Sequence, residues 1–354
     1  MINLKERYKT LNDLERKTRV LTKLLPVDYV TTGGISCGRM IEIYGKESSG
    51  KTAIAFWISG RFLEEFPDKN VLYIDTEVEI DDEHWVRING IGNNGDRFHL
   101  IHESDLGQVM DIILTAIQEN NYSLIVFDSV AATGISNEMK IQRKANGEVD
   151  TTIQVGAMSQ VLTPFVRKIK SKLWEKNITL VILNHMRAKI STGYTRELGD
   201  SVPGGSILRY MSGGIFRVKR LGDSNNPAGI GEKSREERYI THVPIRMKAI
   251  KNKINGIDGR EFDLYIDKEN GIDAALSSIE FLKAFRKSFE RFFEVGGGGN
   301  YRIFDEKIRG AANLLQYFKD NNIVDKLYET KEILNIIYGK ELPERTDNYD
   351  IVEV

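Results

Sequence analysis

Four short apolar runs constrain this chain more than any other feature. They are MIEIYG at 40–45, VLYID at 71–75, SLIVFD at 123–128 and TLVILN at 179–184. A strand covered on both faces loses the alternation of apolar and polar residues and reads as a continuous apolar run. Helical stretches such as KTAIAFWISGRFLEEF and LGQVMDIILTAIQENN separate these runs. Strands alternating with helices predict an α/β fold, a mainly parallel twisted sheet with helices on both faces. In open sheets of this kind ligands sit beyond the carboxyl ends of the strands. The chemistry is therefore expected where the four runs end, at Gly45, Asp75, Asp128 and Asn184–His185.

The first of these ends carries the strongest motif. GKESSGKT, from Gly45 to Thr52, fits the phosphate-loop pattern, follows a strand and opens a helix. Glycines at 45 and 50 let the backbone approach a phosphate, and the loop of Glu47, Ser48 and Ser49 aims its N–H groups at it with the positive end of the helix dipole. Lys51 is placed to reach the β- and γ-phosphates of ATP, and Thr52 to bind Mg2+. Asp128 is the expected partner of that metal. Glu77, two residues past Asp75, suits the orientation and deprotonation of an attacking water. Taken singly, each acid reads equally well as an ordinary strand-end carboxylate or a helix cap.

Charge distribution separates one block from the rest. The chain is nearly neutral, with formal charge −1, yet residues 134–220 hold fifteen Lys and Arg against six Asp and Glu, leaving that block at +9. A solvated charged face explains such a block as readily as a polyanion does. Cys37 is the single cysteine, which excludes an internal disulfide framework and a cysteine zinc cluster. No apolar run approaches the roughly 20 residues that a membrane span needs, so a soluble cytoplasmic protein without membrane partners is expected. Leu4, Tyr8, Leu11 and Leu14 give residues 2–19 an amphipathic helical stripe that must be buried on the chain's own body or on another subunit. From about Gly271 the pattern turns helical, GGGG at 296–299 reads as a turn or link, and residues 341–354 form an acidic tail. There is no internal repeat.

In order and spacing, GRMIEIYGKESSGKT, YIDTE, IVFDSVAA, AMSQVL, LNHMRAKI, PGGSILRY and IKNKI resemble the RecA recombinases, over about residues 20–320. His185, where the bacterial proteins usually have Gln, looks more like the phage UvsX-type strand-exchange branch. The resemblance implies a RecA-type ATPase core at 23–270, an N-terminal oligomerisation helix at 1–22 and a small C-terminal α/β domain at 271–340. It implies that Trp85 stacks on adenine and that His185 senses the nucleotide. It implies a first DNA loop carrying Lys140, Arg143 and Lys144, and a second carrying Arg187, Lys189, Ile190 and Arg196 and closing at Gly204, Gly205 and Ser206. Cations there would neutralise phosphates while Ile190 wedges between bases. Lys251 and Lys253 match a pair that acts on a neighbouring subunit's nucleotide, with Arg209 and Tyr210 at the same interface.

The function so implied is an ATP- and Mg2+-dependent ATPase that forms helical homo-oligomeric filaments on single-stranded DNA and pairs it with duplex DNA in strand exchange. Single-strand-binding and loading proteins are the partners to expect, in a host cytoplasm if the chain is phage-encoded. Two rivals remain: a hexameric helicase of the same core fold, and a recombination mediator with weak ATPase. Open filaments against closed rings separate the first, and ATPase activity with and without DNA separates the second.

Overall fold

The computed structural model describes residues 18–134, 157–186, 202–221, 242–253 and 257–340. At its centre is a nine-stranded sheet. Four of its strands carry the expected runs, β3 (Met40–Gly45), β4 (Asn70–Asp75), β6 (Tyr122–Asp128) and β7 (Thr179–His185), and β8 (Gly214–Arg220) lies beside β3. With β5 (Phe98–His102) they form a parallel set in the order β8-β3-β7-β6-β4-β5. Beyond β8 the sheet turns antiparallel through β9 (His242–Asn252), β10 (Glu261–Asp267) and the short β11 (Gly271–Ile272).

Alternate residues of each central strand feed opposite cores, as the two-residue period of a strand demands. Val181 and Leu183 of β7, and Leu124 and Val126 of β6, face one core; Leu180, Ile182, Ile125 and Phe127 face the other. The first core is covered by α1 (Leu25–Thr31) and α2 (Lys51–Glu65). The second is covered by the helices flanking β6, α4 (Leu106–Glu119) and α5 (Ala157–Lys176), with α3 (Glu83–Val86) lying between β4 and β5 in sequence. Helix α2 is fixed by a contact without side chains: a Cβ added at Gly60 would lie 1.9 Å from the carbonyl oxygen of Gly90, so the two backbones touch. None of the described helices is long and apolar enough to cross a membrane.

One boundary expectation is corrected. Arg19–Val20 is not helical but a strand, β1, paired antiparallel with β2 (Ile35–Ser36). The reason is local: Arg19 donates to the carbonyl of Thr32 at 2.6 Å, and Thr22 is captured by buried Asp28. The remaining helix positions, 1–17, lie outside the described residues, as does the acidic tail at 341–354. Gly271–Ile272 pairs with β10 inside the main sheet.

The helices after β11 extend the first core. Phe281 of α7 (Ala274–Ala284) and Phe285 just past its end, Phe318 of α8 (Ala311–Asp320), and residues of α9 (Ile323–Leu327) and α10 (Lys331–Ile337) pack in one apolar cluster with α1 and α2. A small antiparallel sheet, β12 (Phe293–Gly296), β13 (Asn300–Ile303) and β14 (Glu306–Arg309), completes this end. The run of four glycines is its first hairpin turn.

Candidate active site

Register brings the strand ends together. Gly45 of β3 pairs with His185 of β7, and Asp75 of β4 with Asp128 of β6; Phe127 pairs with Ile182, so the four runs finish at the same edge of the sheet, with Gly45 and His185 reaching two residues further. From Gly45 the chain crosses the loop 46–50 and enters α2 at Lys51. Gly50 bridges loop and helix at φ 91°, and a Cβ there would meet Ile245 at 2.1 Å, so glycine answers both the dihedral and the space. Lys51 Nζ donates to the carbonyl of Lys46 at 2.9 Å. Burial lowers its pKa, while attraction to Asp128, Glu77 and exposed Glu47 opposes the shift. Ser49 Oγ is buried and has no hydrogen-bond partner among the described residues, which leaves a donor within the phosphate loop.

Asp128 lies at the bottom of the site. Its Oδ2 accepts from Tyr73 Oη at 2.7 Å and from Thr52 Oγ1 at 3.0 Å. Burial lifts its carboxyl to about 6, against the pull of those two hydrogen bonds. Hydroxyl and carboxylate oxygens are hard donors that suit Mg2+, so Thr52 and Asp128 fit the metal assigned to them. Above them, Glu77 Oε1 is gripped from two sides at 2.7 Å, by Ser129 Oγ and by His185 Nε2. The hydrogen bond from His185 is the main reason that the Glu77 carboxyl sits below its ordinary value; burial opposes it, and Ser129 and the charge of Lys51 assist it. Glu77 is therefore ionised, oriented and only half-buried. Trp85 packs edge-on against Phe56, with ring centres 5.4 Å apart, and lines the same cavity of about 290 Å³ as Thr52, Glu77 and Asp128. It serves the core and faces the site.

Asp75 has a role that the sequence motifs do not reveal. Its two oxygens accept four backbone N–H groups, from Glu77, Val78, Glu79 and Ile80, each at 3.0 Å. The carboxylate thereby folds the loop that carries Glu77. A signal is present in the sequence, since an Asp heading a loop readily captures N–H groups further along.

Lys251 lies far from its own phosphate loop. Strand β9 runs antiparallel to β8, so Lys251 and Lys253 lie toward the amino ends of β3 and β8, about 10 Å and about 17 Å of strand respectively from the level of Gly45. Lys251 Nζ donates to the carbonyls of Arg209 and Tyr210, which gathers three of the predicted interface residues. Lys253 lies just beyond the end of β9 and donates its N–H to the carbonyl of Gly213. Gly204 and Gly205 turn with positive φ into α6 (Ser206–Met211), and Asn184 reaches the adjoining Pro203 carbonyl at 2.9 Å. Lys140, Arg143, Lys144, Arg187, Lys189, Ile190 and Arg196 lie outside the described residues.

Comparison with known proteins agrees with this geometry. The family description "RecA N-terminal domain" matches residues 18–273. Protein RecA of Aquifex aeolicus is 29% identical over 335 residues, 92% of this chain and 86% of its own length. Protein RecA of Mycoplasma mobile is 27% identical over 314 residues, 88% of this chain and 86% of its own. The crystal structure of the RadB recombinase overlaps 72% of this chain and 98% of its own at 20% identity and a TM-score of 0.49. With the phosphate loop, the acids at the strand ends and the family match all falling on one sheet, the chain belongs to the RecA family of recombinases.

Proposed function

We propose that the chain is an ATP-hydrolysing recombinase that assembles head to tail on single-stranded DNA and exchanges it with a homologous duplex. One observation carries the hydrolytic part: an ionised Glu77, held by His185 and Ser129 beside Lys51 and the Thr52–Asp128 pair. Glu77 orients an attacking water and draws off its proton. Lys51 and the loop N–H groups neutralise charge developing on the transferred phosphoryl group. Mg2+ bound through Thr52 and Asp128 supplies further charge neutralisation. Trp85 offers a ring to the base.

His185 stands where β7 ends and the chain enters residues 186–205, the stretch assigned to DNA. A group touching Glu77 at this place couples the two ligands, because DNA that moves the end of β7 alters the grip on the general base. Lys251 and Lys253 cannot reach their own phosphate loop and act instead on the nucleotide of a second copy.

The test is ATP hydrolysis with and without single-stranded DNA, run beside strand exchange. Wild-type protein hydrolyses ATP faster with DNA, Lys51→Ala loses about 100-fold or more, and His185→Ala retains nucleotide affinity while losing DNA stimulation. Full activity in Lys51→Ala sinks the reading.

A further inference from the structure

A buried polar pair that the hydrolytic groups do not use lies on the side of the sheet that feeds the second core. Glu42 of β3 is 4% exposed and Asn184 of β7 is fully enclosed. Ile182 is the register partner of Glu42, so Asn184, two residues further on, shares its face. The apolar side chains of that face, Met40 and Ile182, cluster with Ile207 and Leu208 of α6. Into this core Asn184 Nδ2 donates to Glu42 Oε1 at 3.1 Å. An apolar pair of matching shape would hold such a core about as well, so stability alone does not account for the polar one.

The contacts of Asn184 leave its amide one orientation. Nδ2 faces two acceptors, Glu42 Oε1 and the carbonyl of Pro203 at 2.9 Å, while Oδ1 accepts the N–H of His185 at 3.0 Å. Turned over, the amide would set oxygen against two oxygens and nitrogen against a donor. Burial raises the Glu42 carboxyl, while the hydrogen bond from Asn184 and the charges of Arg209 and Lys251 draw it down. What Asn184 takes from it is an acceptor, which the uncharged acid also offers. Pro203 directly precedes Gly204, Gly205 and Ser206, and His185 Nε2 grips Glu77. One side chain therefore touches both the residue that holds the general base and the backbone beside three residues assigned to DNA.

We propose that Asn184 transmits DNA binding at Gly204, Gly205 and Ser206 to His185, and that Glu42 is the positioning residue that keeps its amide oriented. This inference rests on the DNA-stimulated hydrolysis proposed above and names the residues that carry the stimulation. A displacement of Pro203 pulls on Nδ2. Because Oδ1 belongs to the same planar amide, the N–H of His185 turns with it and Nε2 shifts against Glu77. Close packing around an enclosed side chain leaves little slack to absorb the movement. Glu42 supplies the fixed point, since β3 is held between β7 and β8 and leads into the phosphate loop.

The experiment is steady-state ATP hydrolysis by the full chain with Mg2+, without DNA and at saturating poly(dT), with kcat and KM taken separately. Asn184→Asp, which keeps the size and loses the donor, lowers the ratio of stimulated to unstimulated kcat about fivefold or more, with KM for ATP within about twofold of wild type. Glu42→Gln, which keeps an acceptor, retains the ratio within about twofold, whereas Glu42→Leu lowers it about threefold or more. In a His185→Ala background, Asn184→Asp costs less than about twofold further, because both lie on one line. Melting temperature establishes that each variant is folded; if Asn184→Asp is not, the Glu42 pair decides. Unchanged stimulation in Asn184→Asp, or equal losses in Glu42→Gln and Glu42→Leu, overturns the proposal while the function above stands. A raised KM that accompanies the lost ratio marks a structural role and overturns it as well. If wild-type hydrolysis does not respond to poly(dT), this inference falls together with the DNA-stimulated reading.

Discussion

Asp28 and Asp128 have nearly the same environment and opposite uses. Both are buried, both accept from a tyrosine and a threonine hydroxyl, and burial pushes both carboxyls up to about 6. Asp28 takes its hydrogen bonds from Tyr328 and Thr22, Asp128 from Tyr73 and Thr52. The difference lies in what completes each shell. Around Asp28 the remaining donors are the N–H groups of Thr22 and Lys23, so the group is enclosed and ties the start of the described chain to α9 and the turn after it. Around Asp128 the remaining groups are charged, Glu77 and Lys51, and a cavity opens beside it. A displaced pKa marks burial. An opening onto a cavity shared with other charged groups marks a site.

Exchanging the acids one at a time breaks the comparison most strongly. Asp128→Asn is expected to lower DNA-stimulated ATP hydrolysis by about 100-fold with little loss of melting temperature, since the amide fills the same space. Asp28→Ala is expected to do the reverse, lowering unfolding free energy by about 2–4 kcal/mol in denaturant titrations because buried donors lose their acceptor, while kcat of the folded protein holds. A fall in kcat for Asp28→Ala, with folding intact, would join the two regions functionally.

Acidity sharpens the same contrast. Each carboxyl is raised in the folded state, so each contributes stability that is complete below its unfolded pKa near 3.8 and is lost as pH rises to about 6. For Asp28 this share amounts to about 3 kcal/mol by full linkage, and Asp28→Asn removes it, flattening the pH dependence measured by chemical unfolding between pH 4 and 6. The share of Asp128 couples to ligand, so Mg2+-dependent nucleotide affinity rises with pH through the same window. The smallest effects come from the phenols: Tyr328→Phe and Tyr73→Phe each cost about 1 kcal/mol of stability, but only Tyr73→Phe alters kcat.

Legibility in the sequence tracks the range of the interactions. The apolar runs, the phosphate loop and the acids at the strand ends are local patterns, and register carried Gly45, Asp75, Asp128 and His185 to one edge of the sheet with no further information. The grip of His185 and Ser129 on Glu77 joins residues 108 and 52 positions apart, and no spacing rule reaches that far. Tyr328 and Asp28, 300 positions apart, lie further still beyond it. Arg19–Val20 illustrates the converse failure. Its place at the end of a helical stripe is real as a pattern, yet pairing with Ile35–Ser36 overrides it.

The backbone contact between Gly60 and Gly90 has a mechanical consequence. Where two chains touch without side chains between them, nothing can compress or rotate to absorb a displacement. The phosphate loop is the leading end of α2, and the stretch that touches α2 comes directly after Trp85, so loop, helix and base-side wall form one stiff piece. Nucleotide therefore cannot enter or leave by prising Trp85 away from α2. The way in and out lies on the other side, past the loop folded over Asp75, and whatever covers that loop sets how long a nucleotide stays.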